Sequence, residues 1–174
     1  MSWVELLSRE IERVYDVTDH LMDEVSDKDL GWKPSTGSNW MTLGQLLMHC
    51  TDACGAPCKG FVTGDWGMPE GMDVEHLTPE QMLPPAEKLP HIKSVAEAKR
   101  LLAADRKVAL EMVKKAGETK LTSQKAPAPW DPTDMILGHR LLSMVGHLNQ
   151  HKGQLFYYLK LMGKPVNTGH LWGM

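Results

Sequence analysis

The sequence predicts an all-α fold, a bundle of four long helices. Three observations carry this expectation. Apolar residues recur at three- and four-residue intervals along four separate segments, the period of a helix with one buried face. Three of those segments open on a Ser/Thr-x-x-Glu/Gln sequence, in which each side chain can satisfy the other residue's backbone N–H. Nothing along the chain reads as a run of strands.

The first segment opens on Ser2-Trp-Val-Glu5 and places Trp3, Leu7, Ile11, Val14, Thr18, Leu21 and Val25 on one face. The stretch Asp27 to Gly37, with a Lys-Pro step and two glycines, ends it. A second helix begins at Thr42, opposite Gln45, and carries Leu43, Leu46, Leu47, Cys50 and Cys54 toward an end near Pro57 or Gly60. From Phe61 to Lys93 the chain is rich in Gly, Pro and Met, with at most one helical turn at Thr78-Pro-Glu-Gln81. A connection this long is expected to be a crossover, a lid or a mobile loop. The third helix starts at Ser94-Val-Ala-Glu97 and runs through Leu101, Leu102, Val108 and Val113 to Gly117, a residue suited to a helix C-terminus. The fourth is expected to open around Asp131 to Asp134 and to continue to Gly163, with Pro165 just beyond. The long second connection lets the helix order depart from simple up-down-up-down.

A chain of 174 residues suits one domain spanning 1–174. Nineteen Lys and Arg against 22 Asp and Glu leave a net charge of −3, with no global attraction to nucleic acid or to an anionic membrane. The first segment meets charge before any apolar run long enough for a signal sequence, and no stretch approaches the roughly 20 apolar residues of a membrane span. A cytoplasmic protein is the expectation.

The eight histidines are the informative feature of the composition. His147 and His151 lie four residues apart in the fourth helix, so their azimuths differ by about 40° and both rings face one way. Two neutral imidazoles so placed make a half-site for a divalent metal, although such pairs are often simply solvated. Ser143, Gln154 and Tyr158 continue the same stripe beside Leu148, Leu155 and Leu159, and between Arg140 and Lys160 the single charged residue is Lys152. So little charge argues against a stripe that merely meets water, and suits a polar site set into a bundle interior. A third ligand has to come from another helix. His49, among Leu46, Leu47 and Cys50, is the best candidate, with Asp52 three residues on as an acceptor able to orient its ring. His139, about 80° from His147, is a marginal neighbour. His20, His76, His91 and His170 read as structural or solvated.

Cys50, Cys54 and Cys58 are spaced four apart, which is not the CxxC spacing of zinc or redox motifs. Cys50 points about 100° away from His49. Small apolar packing is the simpler account of Cys50 and Cys54; Cys58, after Pro57, reads as an exposed thiol. The abundant Met and Trp read as core and loop packing.

The stretch GHRLLSMVGHLNQHKGQLFYYLKLMGKPV resembles the last helix of the DinB-like, or YfiT-like, metalloenzyme superfamily. The family's marks there are His-x-x-x-His, a basic residue, Gly-Gln and a Tyr-Leu-x-x-x-Gly tail, which fall on His147, His151, Lys152, Gly153, Gln154, Tyr158, Leu159 and Gly163. Asp29-Leu-Gly-Trp-Lys-Pro34 and Trp40-Met-Thr-Leu-Gly-Gln-Leu-Leu-Met-His49 are similar to the family's N-terminal half. The resemblance implies a four-helix bundle in up-up-down-down order, often dimeric. It also implies a divalent metal, zinc or nickel, on the matching His49, His147 and His151. Characterised relatives include transferases and isomerases that use low-molecular-weight thiols such as bacillithiol, mycothiol or glutathione. The Met- and Pro-rich second connection and the cysteine ladder depart from the family's simplest pattern.

The leading expectation is therefore a metal-dependent thiol transferase acting on a small-molecule substrate. Three neutral ligands leave the ion's charge uncompensated, which favours ionisation of a thiol or a water beside it. Hydrolysis is the alternative reaction, weakened because no Glu lies on the His147 stripe as in HExxH. A different class is a non-catalytic ligand-binding or stress-response helical dimer. A third is a purely structural bundle whose histidines form a hydrogen-bonded core network.

Overall fold

In helix α1 (Trp3–Met22) the opening capping box closes in both directions: Ser2 Oγ accepts from the Glu5 amide and Glu5 Oε2 from the Ser2 amide. Leu7, Ile11, Val14, Thr18 and Leu21 form its buried face, on the expected period. The computed structural model describes residues 1–67 and 84–174. The described residues are helical throughout their regular parts, with two isolated antiparallel bridges, Lys125 with Ile136 and Ala128 with Asp131.

The second expected helix is in fact two. Helix α2 (Leu43–Cys50) is closed by the Thr42–Gln45 capping box. The chain then turns through Thr51–Cys54 and restarts as α3 (Gly55–Thr63). The periodicity of Leu43 to Cys54 hid this break, because both short helices bury apolar residues on the same core. At the restart a carboxylate from another helix, that of Asp105, accepts from the first two amides of α3. Helix α3 also runs beyond Gly60, so the long connection begins later than expected. Its far end is tied back by Gln45, whose Nε2 donates to the carbonyls of Ala86 and Leu89. The expected turn at Thr78–Gln81 and His76 lie outside the described residues.

Helix α4 (Val95–Ser123) starts at Ser94, whose Oγ accepts from the Glu97 amide. The reciprocal bond is displaced by one residue: Glu97 Oε2 accepts from the Lys93 amide instead of that of Ser94. At Gly117 the backbone leaves the helix, with φ 67° and ψ 168°, a left-handed conformation that favours glycine. The helical path resumes to Ser123. Glu118, just after the break, accepts from the Trp3 and Val4 amides and so caps α1 from outside.

Helix α5 (Leu137–Leu161) begins later than the expected Asp131 to Asp134. The aspartate is occupied elsewhere. Asp131 Oδ1 accepts from the Thr133 amide and Oδ2 from Arg140 Nη1. Arg140, 4% exposed, also donates to the carbonyls of Ala126, Asp131 and Thr133. One buried guanidinium thus organises the whole approach to α5. A short helix α6 (Thr168–Trp172), not foreseen from periodicity, folds back so that Leu171 accepts from Lys152 Nζ.

Helix α1 packs along α4 and α5, α3 along α4 and α5, and α2 against α5. Leu7, Ile11, Leu46, Leu47, Leu102, Leu141, Leu148 and Leu155 belong to one continuous core. No described helix is long and apolar enough to cross a membrane.

Candidate metal centre

The α2–α5 contact brings the last turn of α2 against the middle of α5. There His49, from α2, meets His147 and His151, from successive turns of α5. His147 Nε2 lies 3.3 Å from His49 Nε2 and 3.0 Å from His151 Nε2. All three rings are half-buried and meet edge to face.

The outer nitrogens are also engaged. His147 Nδ1 lies 2.9 Å from the carbonyl oxygen of Ala53, in the turn between α2 and α3. His151 Nδ1 lies 2.9 Å from Gln154 Oε1, one turn on. An oxygen acceptor at Nδ1 holds the proton there and leaves the Nε2 lone pair free. Two lone pairs 3.0 Å apart repel unless positive charge sits between them. Burial, followed by the charges of His151 and His147, lowers His49 to about 4, and burial lowers His151. Burial thus favours the neutral form, the one that ligates a metal, in both rings.

The spacing suits an ion. Nitrogens bound at roughly 2.0–2.1 Å lie about 3.3 Å apart at tetrahedral angles and about 3.0 Å apart at right angles. The two close approaches here, 3.0 and 3.3 Å, fall on those values. The three residues are the group of potential ligands that converges among the described residues, and their donor set, three imidazoles, fits a divalent cation.

The sequence model of the DinB superfamily matches residues 10–155 of the 174. The chain belongs to the DinB superfamily. No curated protein matches its sequence.

In this DinB-superfamily chain the other candidate residues divide. Gln154 reaches the His cluster directly. Asp52 is exposed at its rim, with Oδ1 3.7 Å from His49 Nδ1, too far for a hydrogen bond. Loss of water on its protein side, together with the charge of Asp105, raises its carboxyl to about 6. Ser143 does not face the three rings through its hydroxyl, which donates to the His139 carbonyl in its own helix. Tyr158 is buried away from them: its hydroxyl donates to the Met41 carbonyl and its ring meets Trp32 and Trp40 edge-on. His20, His91 and His139 are exposed, and His170 accepts from the Asn167 amide at the start of α6.

The expected exposed thiol is a correction. Cys58 is fully buried, as are Cys50 and Cys54. Pro57 does not mark a loop here but sits in the first turn of α3, where a missing N–H costs nothing, so Cys58 turns inward. Its hydrogen bond to Cys54 and its burial raise its thiol well above the ordinary range.

Two groups at the α2–α3 turn beside the cluster were not anticipated. The Ala53 carbonyl is a backbone atom with no side-chain signature. Asp105 had one: it occupies the buried register of α4 between Leu102 and Ala109, where an acid needs a structural reason.

Proposed function

We propose that this protein is a divalent-metal-dependent enzyme of the thiol-transferase type, with His49, His147 and His151 as the metal ligands. The observation that carries the reading is the convergence of three Nε2 atoms whose outer nitrogens, in two of the three rings, are held by oxygen acceptors.

A bound zinc or nickel ion supplies Lewis-acid chemistry, lowering the pKa of a thiol or water taken into an open position. The chain's own residues set the conditions for it. Neutral ligands leave the ion's charge intact, and Gln154 and the Ala53 carbonyl fix the ring orientations. Asp52 stands at the rim beside His49 as a group able to take up a proton.

Membership of the DinB superfamily and the resemblance of the α5 motif support the finer parts of the reading. These are one four-helix bundle domain over 1–174 in up-up-down-down order, a cytoplasmic homodimer, and a low-molecular-weight thiol as co-substrate with a small electrophile. They favour neither nucleic acid nor membrane as a partner, in keeping with the net charge of −3.

The test begins with elemental analysis of purified protein, expected to give one zinc or nickel per chain. His147→Ala should abolish stoichiometric binding while helical circular dichroism is retained; full occupancy in that variant would sink the site. The loaded protein is then incubated with glutathione, bacillithiol or mycothiol and a chloronitrobenzene electrophile. Thiol-dependent product supports the transferase. Saturable thiol binding with no turnover supports a non-catalytic binding protein, and release of the nitrophenol from an activated ester in the absence of thiol supports a hydrolase.

A further inference from the structure

Helix α3 lacks a cap of its own. Its N-cap residue is Cys54, whose side chain makes no capping hydrogen bond, although the first amides of any helix need outside acceptors. Asp105, from α4, supplies them. Its Oδ2 accepts from the Gly55 amide and its Oδ1 from the Ala56 amide, both at 2.8 Å. A carboxylate at a helix N-terminus also meets the positive end of the helix dipole.

The carboxylate is itself fixed. Tyr15, from α1, donates its hydroxyl to Asp105 Oδ2 at 2.6 Å. Gly55 lets the two backbones touch: a Cβ there would lie 2.1 Å from the Asp105 carbonyl oxygen. The start of α3 is thus pressed onto α4 with no side chain between. Asp105 is only 8% exposed, and burying a carboxylate is costly unless its hydrogen bonds are made.

Two residues before Gly55 stands Ala53, 1% exposed, whose carbonyl faces His147 Nδ1 at 2.9 Å. The direction of that carbonyl depends on how the Thr51–Cys54 turn enters α3. The entry is what Asp105 clamps.

We propose that Asp105 is a positioning residue for His147: by capping α3 it aims the Ala53 carbonyl, which holds the proton on His147 Nδ1 and turns Nε2 toward His49 and His151. The inference rests on the metal-site reading for its purpose, but its first effect is on the ring itself and is visible without metal.

The experiment uses the full chain. Long-range proton–nitrogen NMR of the metal-free protein reads the tautomer of His147, and competition with a chromophoric chelator reads the zinc dissociation constant. Wild type is expected to hold His147 as the Nδ1–H tautomer. Asp105→Asn keeps the shape but offers one of the two amides a donor in place of an acceptor. It is expected to shift His147 toward the Nε2–H form and to weaken zinc about tenfold or more, the usual effect of disturbing an outer partner of a ligand histidine. Tyr15→Phe, which leaves both capping bonds in place, should move both readouts less and in the same direction. Leu7→Ala, on the buried face of α1 two turns before Tyr15, should lower stability and move neither.

An Asp105→Asn protein that folds with the wild-type tautomer and zinc affinity overturns the proposal. If that variant does not fold, Asp105→Glu, whose longer side chain keeps the charge but moves both acceptor oxygens off the Gly55 and Ala56 amides, takes its place, and unchanged readouts there overturn it. A tautomer shift in Asp105→Asn that Leu7→Ala reproduces shows general loosening and overturns it too. Wild-type protein that takes up no zinc removes the metal-site reading alone, and the tautomer measurement still decides the role of Asp105.

Discussion

Gln154 Oε1 lies 2.9 Å from His151 Nδ1, one helical turn away on the same face of α5. The pair needs no other part of the fold to form, since residues three apart on a helix are neighbours. The bond also sets a direction: it turns His151 Nε2 toward His147 Nε2 at 3.0 Å.

Gln154→Leu should weaken zinc or nickel binding by about 10–100-fold while thermal stability changes little, because Gln154 is only half-buried and packs no core. Isothermal titration with metal and a melting curve separate the two effects. Wild-type affinity in the variant would remove Gln154 from the site.

The cysteines should be silent in the folded protein. Cys50, Cys54 and Cys58 are all fully buried, and burial with the charge of Asp52 pushes the Cys50 thiol up to about 12. Reactivity needs both thiolate and access. A chromogenic disulfide reagent at pH 8 should label none of them within the mixing time and all three in denaturant. One fast-reacting thiol in native protein would contradict the inward placement of Cys58.

Stability at low pH should depend on Asp29. Its Oδ2 accepts from Lys164 Nζ at 2.7 Å, joining the turn after α1 to the segment that follows α5. That bond, with those from Ser26, holds the Asp29 carboxyl at about 2, below the ordinary carboxylate value near 4. A carboxyl depressed in the folded state contributes its stability in full above the unfolded value and loses it as pH falls toward 2. The contribution is about 1 kcal/mol after allowance for solvent screening. Urea unfolding of wild type and Asp29→Asn should therefore differ at pH 6 and converge between pH 4 and pH 2. A difference that persists at pH 2 would show that the loss is not electrostatic.

Much of this molecule was legible in local patterns. The Ser2–Glu5 and Thr42–Gln45 capping boxes, the period of Leu7, Ile11, Val14 and Leu21, and the helical offset of His147 and His151 involve residues within one or two turns of each other. Backbone geometry alone relates such residues, so a linear reading reaches them. The failures share the opposite property. The break after Cys50 depends on Asp105, 50 residues from Gly55. The late start of α5 depends on where the Arg140 guanidinium finds its acceptors. Cys58 is buried because α3 continues through it and turns it against the core.

The histidines show the same division. The sequence by itself determined the helical class, the pairing of His147 with His151 and the polar stripe that includes Gln154, because helix periodicity puts those side chains together whatever surrounds them. Only the tertiary structure decided that His49 arrives 3.3 Å from His147, that a backbone carbonyl holds the outer face of His147, and that Ser143 and Tyr158 turn to other partners. Those outcomes depend on how α2, α3 and α4 meet α5. That arrangement is set by burial of the shared core and by a few long-range polar bonds, which no spacing along the chain records.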